Sequence, residues 1–331
     1  TMRFEAGMQL GEYTILRRVG QGGMGTVYQA RDSRGHIVAI KVPFDTLLDD
    51  PGTHARYERE LEVSRALDHP NLQRLLTTGH LEGAADSARP VPFTVLEWVD
   101  GGLLREHLYE GRPLGVEEAV KLTVQLCDAL SYCHEKGIIH RDLKPDNVLV
   151  TRTGEVKLMD FGAALLESAR KITTVSLSSA LGTPDYMSPE QVQGQRGDAR
   201  SDVYALGVML YEMLAGEPPY RGDSALAVMA QHVQSRPVAL RSRNRKVPPA
   251  LAAVIAKAMR RDPAKRYQTM AEMKHDLTHL GQIDPQRLDA EAPEDLPLAS
   301  PSRRPKALWL AVAAAGAALF ALGIVAARTL G

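Results

Sequence analysis

The chain has 331 residues, and its 40 basic and 40 acidic side chains give a formal net charge of zero. Hydrophobic residues make up 44% and charged residues 24%, a globular balance that excludes wholesale disorder; the even charge argues against a nucleic-acid binder. Two cysteines, Cys127 and Cys133, exclude a disulfide scaffold and suit a reducing compartment. Six helical steps turn about 600°, so the two thiols point in different directions and share neither a metal nor a disulfide.

The elements follow in chain order. No basic-then-apolar leader opens the sequence, so no secretory signal is expected, and Thr1-Met2 is an unusual start. Strand-like runs at 13–16, 26–30 and 36–40 are joined by Gly-rich turns with no room for crossover helices, which predicts an antiparallel meander. A helix is expected over 54–67, then a surface loop over 83–92 and a strand over 93–97. After Gly102 the pattern becomes helical. Residues 117–136 carry Ala119, Leu122, Leu126, Ala129, Leu130 and Cys133 at a period near 3.6. Further helices are expected over 202–215, 225–234, 249–260 and 269–280. A strand-rich beginning and a helix-rich remainder predict an α+β fold in two lobes.

Prolines recur between 281 and 306 among small and charged residues, which predicts an extended linker ending in Arg303-Arg304-Pro305-Lys306. Residues 307–327 contain no charge, have basic residues on both sides and place Trp309 at interfacial depth. About 20 helical residues span the hydrocarbon layer, so a membrane-spanning helix is expected, its basic cluster keeping the N-terminal part in the cytoplasm. The basic run 241–246 is expected to be a solvated loop.

Four motifs carry chemistry. Gly20-Gln-Gly22-Gly-Met-Gly25-Thr-Val27 fits G-x-G-x-x-G-x-V, a pattern that dinucleotide folds share. Here strands lie on both sides, whereas a dinucleotide fingerprint opens a helix, so the loop is expected to lie over a triphosphate. Lys41 ends the apolar run Val38-Ala39-Ile40 and needs an anion if buried. Glu58, Glu60 and Glu62 compete for it; Glu60 shares the apolar stripe of Tyr57, Leu61, Ser64 and Leu67, so it is the one aimed inward. In His140-Arg141-Asp142-Leu-Lys144-Pro-Asp-Asn147, Asp142 is placed to orient an attacking hydroxyl and Lys144 to neutralise the transferring phosphoryl. Thirteen residues beyond Asn147 stands Asp160 of Asp160-Phe-Gly162; two oxygen ligands, Asn147 and Asp160, suit Mg²⁺.

Together and in this order, these motifs resemble the protein kinase family, and within it the membrane-anchored Ser/Thr kinases of bacteria. The resemblance covers residues 11–280, as an N-lobe over 11–98 and a C-lobe over 99–280. Further matches are Gly182-Thr-Pro-Asp-Tyr-Met-Ser-Pro-Glu190, Ser201-Asp202-Val-Tyr-Ala-Leu-Gly207 and Arg261-Asp-Pro-Ala-Lys-Arg266. It implies an enzyme that transfers the γ-phosphoryl of ATP to Ser/Thr hydroxyls of proteins, with Mg²⁺ and Mn²⁺ as an alternative. The implied ATP site comprises Val19, Gly20, Gln21, Gly22, Gly23, Met24, Gly25, Val27, Ala39, Lys41, Glu97 and Val99. Within it Glu97 to Val99 form the adenine hinge and Leu96 is the gatekeeper. The resemblance also implies a buried Glu190–Arg266 pair, a catalytic-loop anchor at Asp202 and a docking role for Thr183. Ser188 replaces the usual alanine of Ala-Pro-Glu, and Trp98 stands where tyrosine is common.

Arg141, just before Asp142, resembles the arginine of kinases switched by activation-loop phosphorylation. Thr173, Thr174, Ser176, Ser178 and Ser179 are the acceptors expected for autophosphorylation, with Ser176 and Ser178 favoured by their distance to Gly182. A homodimer would serve trans-phosphorylation. A pseudokinase scaffold would lack Lys41, Asp142, Asn147 or Asp160, and all are present. A small-molecule phosphotransferase of similar fold would lack the 182–190 docking stretch.

Overall fold

The computed structural model describes residues 4–21, 25–44, 61, 63–81, 91–108, 111–161 and 184–286. Six strands form the first sheet: β1 (Gln9–Leu10), β2 (Tyr13–Gln21), β3 (Gly25–Arg31), β4 (Ile37–Pro43), β5 (Leu75–Leu81) and β6 (Val91–Glu97). They pair antiparallel in the order β1-β2-β3-β4-β6-β5. Alternation divides the sheet's faces. Tyr28, Ala30, Val38, Ile40, Val42, Phe93 and Val95 pack into one apolar cluster, which leaves Val27, Ala39, Lys41, Thr94 and Leu96 on the other face. Register then lines up Gly20, Val27, Lys41 and Thr94 across four adjacent strands.

Two glycines permit this sheet. A Cβ on Gly25 would sit 2.3 Å from the Val42 carbonyl oxygen, and one on Gly79 would sit 2.3 Å from Phe93 Cζ. Both positions exclude a side chain because a neighbouring strand or ring already fills the space.

A small second sheet, β7 (Gly101–Leu103), β8 (Val148–Thr151) and β9 (Val156–Leu158), joins the strand region to the helices. The helices are α1 (Leu104–His107), α2 (Val116–Glu135), α3 (Pro189–Val192), α4 (Ala199–Ala215), α5 (Ala225–Gln234), α6 (Leu240–Arg243), α7 (Pro249–Ala258) and α8 (Met270–Thr278). The predicted stripe of α2 is its buried face. Helix α4 is buried at every position from Ser201 to Leu214, with α2 and α7 packed against it.

Several boundaries differ from expectation. Helix α4 starts at Ala199 because Asp198 accepts from the Arg200 amide as an N-cap. Helix α8 stops at Thr278 and α7 at Ala258, each two residues short of the pattern. Pro92 belongs to β6 rather than to the preceding loop: the β4 ladder stops at Thr94, so at Pro92 only β5 is paired. Strands β1, β5, β7 and β8 add to the expected outline: β1 and β7 have only two and three residues, β5 is half-exposed, and β8 directly follows the 140–147 motif, while β9 is the apolar strand ahead of Asp160. The run 241–246 is not simply a solvated loop, since its first residues lie in α6; Arg241 Nε donates to the Val247 carbonyl and Arg243 pairs with Glu217.

Of the predicted helix over 54–67, Leu61 and residues 63–66 are helical, Leu67 is not, and the rest, Glu60 included, lies outside the described residues. Both cysteines are buried free thiols, their values pushed up by burial, Cys133 to about 12. Among the described residues no helix is long and apolar enough to cross a membrane; residues 307–327 lie outside them.

Candidate active site

The β8–β9 hairpin converts a thirteen-residue spacing into adjacency. Asn147 directly precedes β8 and Asp160 follows β9 by two residues. Val148 pairs with Leu158, and the Met159 amide donates to the Asn147 carbonyl at 3.0 Å. Asp160 has φ +64°, a left-handed backbone uncommon outside glycine, and so leaves the strand direction at that residue. From the first sheet, β4 brings Lys41 to it: Nζ lies 3.8 Å from Asp160 Oδ1. The cation and the acid are thus supplied by different sheets.

The segment 140–147 is held on the other side. Lys144 Nζ pairs with Asp142 Oδ2 at 2.7 Å. Asn147 Nδ2 donates to the Asp142 carbonyl at 2.7 Å and to its Oδ2 at 3.2 Å. Spending the amide nitrogen on Asp142 leaves Oδ1 as the acceptor end of Asn147. Asn147 Oδ1 and the Asp160 carboxylate are hard oxygen donors, a set that fits Mg²⁺ completed by phosphate oxygens. Over Gly20 a Cβ would meet nothing within 4 Å, the open space a phosphate approaching the backbone requires.

Asp202 of α4 fixes the backbone of this segment. Its carboxylate accepts from the His140 amide at 2.9 Å, the Arg141 amide at 2.9 Å and His134 Nε2 at 2.7 Å. Burial alone would raise this carboxyl. The His134 hydrogen bond, the neighbouring His134 and His140 rings and the Arg141 amide outweigh it and hold Asp202 below the usual carboxylate range. Arg141, like Asp160, has a positive φ, +64°. His140 Nδ1 accepts from the Asp142 amide, so its proton lies on Nε2, which faces the Met159 carbonyl at 3.2 Å. One ring therefore ties the segment of Asp142 to that of Asp160.

At the expected hinge, Ala39 pairs with Leu96 and Val38 with Glu97. The Glu97 carboxylate pairs with Lys157 of β9 at 2.6 Å, and Arg17 lies over the Trp98 ring at 5.7 Å. Val99 is buried, Val19 exposed and Gln21 ends β2. Gly22, Gly23, Met24, Glu60, Thr173, Thr174, Ser176, Ser178, Ser179 and Thr183 lie outside the described residues.

The Glu190–Arg266 pair is present and buried. Arg266 donates to both Glu190 oxygens, at 2.8 and 2.7 Å, and to the carbonyls of Arg200, Arg260 and Arg261.

Sequence reasoning missed a second network. Arg105 of α1 bonds Asp146 at 3.1 Å, Glu212 at 2.9 Å and the Tyr186 hydroxyl at 2.7 Å, and Tyr186 also donates to Glu212. These partners are 41, 107 and 81 residues away, so no local pattern signals them. His134 was also missed, although a histidine four residues beyond Leu130 extends the buried stripe of α2.

The protein kinase domain family matches residues 13–278. The chain is 43% identical over 274 residues to the serine/threonine-protein kinase PknB of Mycobacterium leprae, covering 82% of this chain and 43% of that protein. Against PknB of Mycolicibacterium smegmatis identity is 41% over 295 residues, covering 87% and 46%. Against the probable serine/threonine-protein kinase SCO3848 of Streptomyces coelicolor it is 41% over 268 residues, covering 81% and 39%. The chain spans less than half the length of these relatives. It belongs to the protein kinase domain family, as a homologue of bacterial serine/threonine-protein kinases.

Proposed function

We propose that this chain transfers the γ-phosphoryl of ATP to Ser and Thr hydroxyls of proteins, with Mg²⁺ (or Mn²⁺) held at Asn147 and Asp160. The observation that carries this reading is the convergence of Lys41 and Asp160, from separate sheets, to 3.8 Å, beside an Asp142 bonded by both Lys144 and Asn147. Bound Mg²⁺ would supply charge neutralisation at the phosphates. Lys41 binds the α/β-phosphates, with Glu60 as its inward partner. Asp142 orients the hydroxyl and accepts its proton, and Lys144 stabilises charge on the transferring group.

Gly20 to Gly25, Val19 and Val27 cover the phosphates and base, Ala39 lies above the base, and the Glu97 and Val99 backbones bond it. Thr183 docks the acceptor peptide. Arg141 pairs with a phosphate placed by autophosphorylation on Thr173, Thr174, Ser176, Ser178 or Ser179, with a homodimer as the route in trans. The uncharged stretch 307–327 supports a single inner-membrane span that leaves the kinase domain, 11–280, in the cytoplasm beyond the 281–306 linker.

A radiolabel-transfer assay tests the central claim. Asp142→Asn should lower kcat by two or more orders of magnitude with folding retained. Turnover at the wild-type rate would refute the assignment.

A further inference from the structure

One side chain at the expected base site has no place in the reading above. Gln73 follows Leu72, which forms a parallel bridge with Leu158, and its own amide donates to the Leu158 carbonyl at 2.9 Å. Its backbone is therefore fixed against β9, two residues from Asp160. Its side-chain Nε2 donates to the Glu97 carbonyl at 3.1 Å, and the Glu97 amide is held by the Arg74 carbonyl at 2.9 Å. Glu97 is the hinge residue whose backbone would meet the nucleobase.

A bare hinge carbonyl is only an acceptor. It suits the 6-amino group of adenine and repels the 6-oxo group of guanine or hypoxanthine. A carboxamide nitrogen beside that carbonyl changes the chemistry of the edge. Nε2 carries two hydrogens, and the Glu97 carbonyl engages one of them. An atom bonded to the Glu97 oxygen from the cleft lies at most about 6 Å from Nε2, a gap that rotation of a three-torsion side chain narrows to bonding distance. Acceptor and donor then stand side by side, the first for a 6-amino purine and the second for a 6-oxo purine.

We propose that Gln73 widens the phosphoryl donors of this site from ATP to 6-oxo purine nucleoside triphosphates. The inference rests on the phosphoryl-transfer reading above. The reaction is unchanged: the bond from the γ-phosphorus to the β,γ-bridging oxygen breaks and the bond to the acceptor oxygen forms. The hydroxyl proton leaves by Asp142, and the product is the 6-oxo purine nucleoside diphosphate.

The test compares ATP with ITP, which has oxygen in place of nitrogen at position 6. Dissociation constants of the magnesium nucleotides are measured by calorimetry, and KM by phosphoryl transfer, for wild type, Gln73→Leu and Gln73→Glu. Neither variant retains a donor, and a thermal melt checks that each is folded. The ITP-to-ATP ratio of dissociation constants should rise at least fivefold in both variants, the scale of one net hydrogen bond; taking the ratio removes any general loss of nucleotide affinity. A rise below fivefold, or wild type that binds and uses ATP but not ITP, overturns the proposal. Wild type that binds neither nucleotide refutes the kinase reading instead.

Discussion

Asp202→Asn isolates the link between the buried helix and the catalytic segment, because it changes charge and donor pattern while preserving shape. Asp202 is 1% exposed, and its two oxygens serve three donors: Oδ1 takes the Arg141 amide, and Oδ2 takes the His140 amide and His134 Nε2. An asparagine has one oxygen. Turned to keep the His140 and His134 bonds, it sets an NH₂ against the Arg141 amide; turned the other way it orphans two donors. The first arrangement loses one charge-assisted bond and leaves one buried N–H unpaired, a cost of about 2–4 kcal/mol. For a domain of this size that lowers Tm by roughly 5–15 °C. The orphaned amide belongs to Arg141, whose φ of +64° persists only while its surroundings hold it. Asp142 follows directly, so turnover should fall about a hundredfold, more than stability alone explains. The pH dependence has a definite sign. Asp202 is depressed in the folded state, so its contribution is full above the unfolded value near 3.9 and is lost as pH falls through the lower folded value. The acid limb of the stability curve should therefore be shallower in the variant. Urea melts from pH 3 to 7 and steady-state kinetics make the test, and a variant with wild-type kcat and a Tm within 1 °C would sink the reasoning.

Arg266→Met should cost about 3–5 kcal/mol in urea melts, because the Arg266 side chain is 0% exposed and its removal strips the buried Glu190 carboxylate of its cation. Adding Glu190→Gln should recover part of the loss, and additive effects of the two changes would contradict the pairing. Asp185 titrates near 6, raised first by burial and then by the Glu212 charge. A raised carboxyl weakens the fold as pH climbs from about 4 to 6, so Asp185→Asn should gain stability on wild type across that interval and hold the gain above it. Urea midpoints at pH 4, 5, 6 and 7 follow the difference, and a constant offset would exclude the assigned titration.

What the sequence makes legible depends on how far each contact reaches. Asn147 and Asp160 flank a tight hairpin, so spacing alone reports their adjacency. The faces of β3 and β4 follow from period-two alternation, which places Lys41 opposite the apolar cluster. The stripe of α2 is read residue by residue. Strand β5 escapes because Leu75 to Leu81 mixes Thr77, Thr78, Gly79 and His80 and is only partly covered, leaving no clean alternation. Gln73 escapes for a different reason. Nothing in Leu72-Gln73-Arg74 indicates that its amide meets a carbonyl 24 residues away, since the meeting depends on β9 holding the Gln73 backbone in place. Arg105 likewise looks like any helical arginine until the fold assembles its three partners.

The distribution of these anchors has a structural logic. Asp202 holds the His140–Arg141 backbone, Ser201 donates to Glu190 and thereby to the Arg266 pair, and Glu212 receives Arg105 and Tyr186. All three sit on α4, which is buried along most of its length and terminated by Gly216 at φ +76°. That glycine is required twice over, since a Cβ there would also lie 2.2 Å from the Gly111 carbonyl oxygen. A buried polar residue is costly unless fully partnered, and a helix interior holds its side chains more rigidly than a loop does. Concentrating the anchors on one such helix gives the segment carrying Asp142 and the segment carrying Tyr186 a common reference. Their relative position is therefore set by α4, and a change at Asp202 or Glu212 acts on geometry at Asp142 without touching any reacting atom.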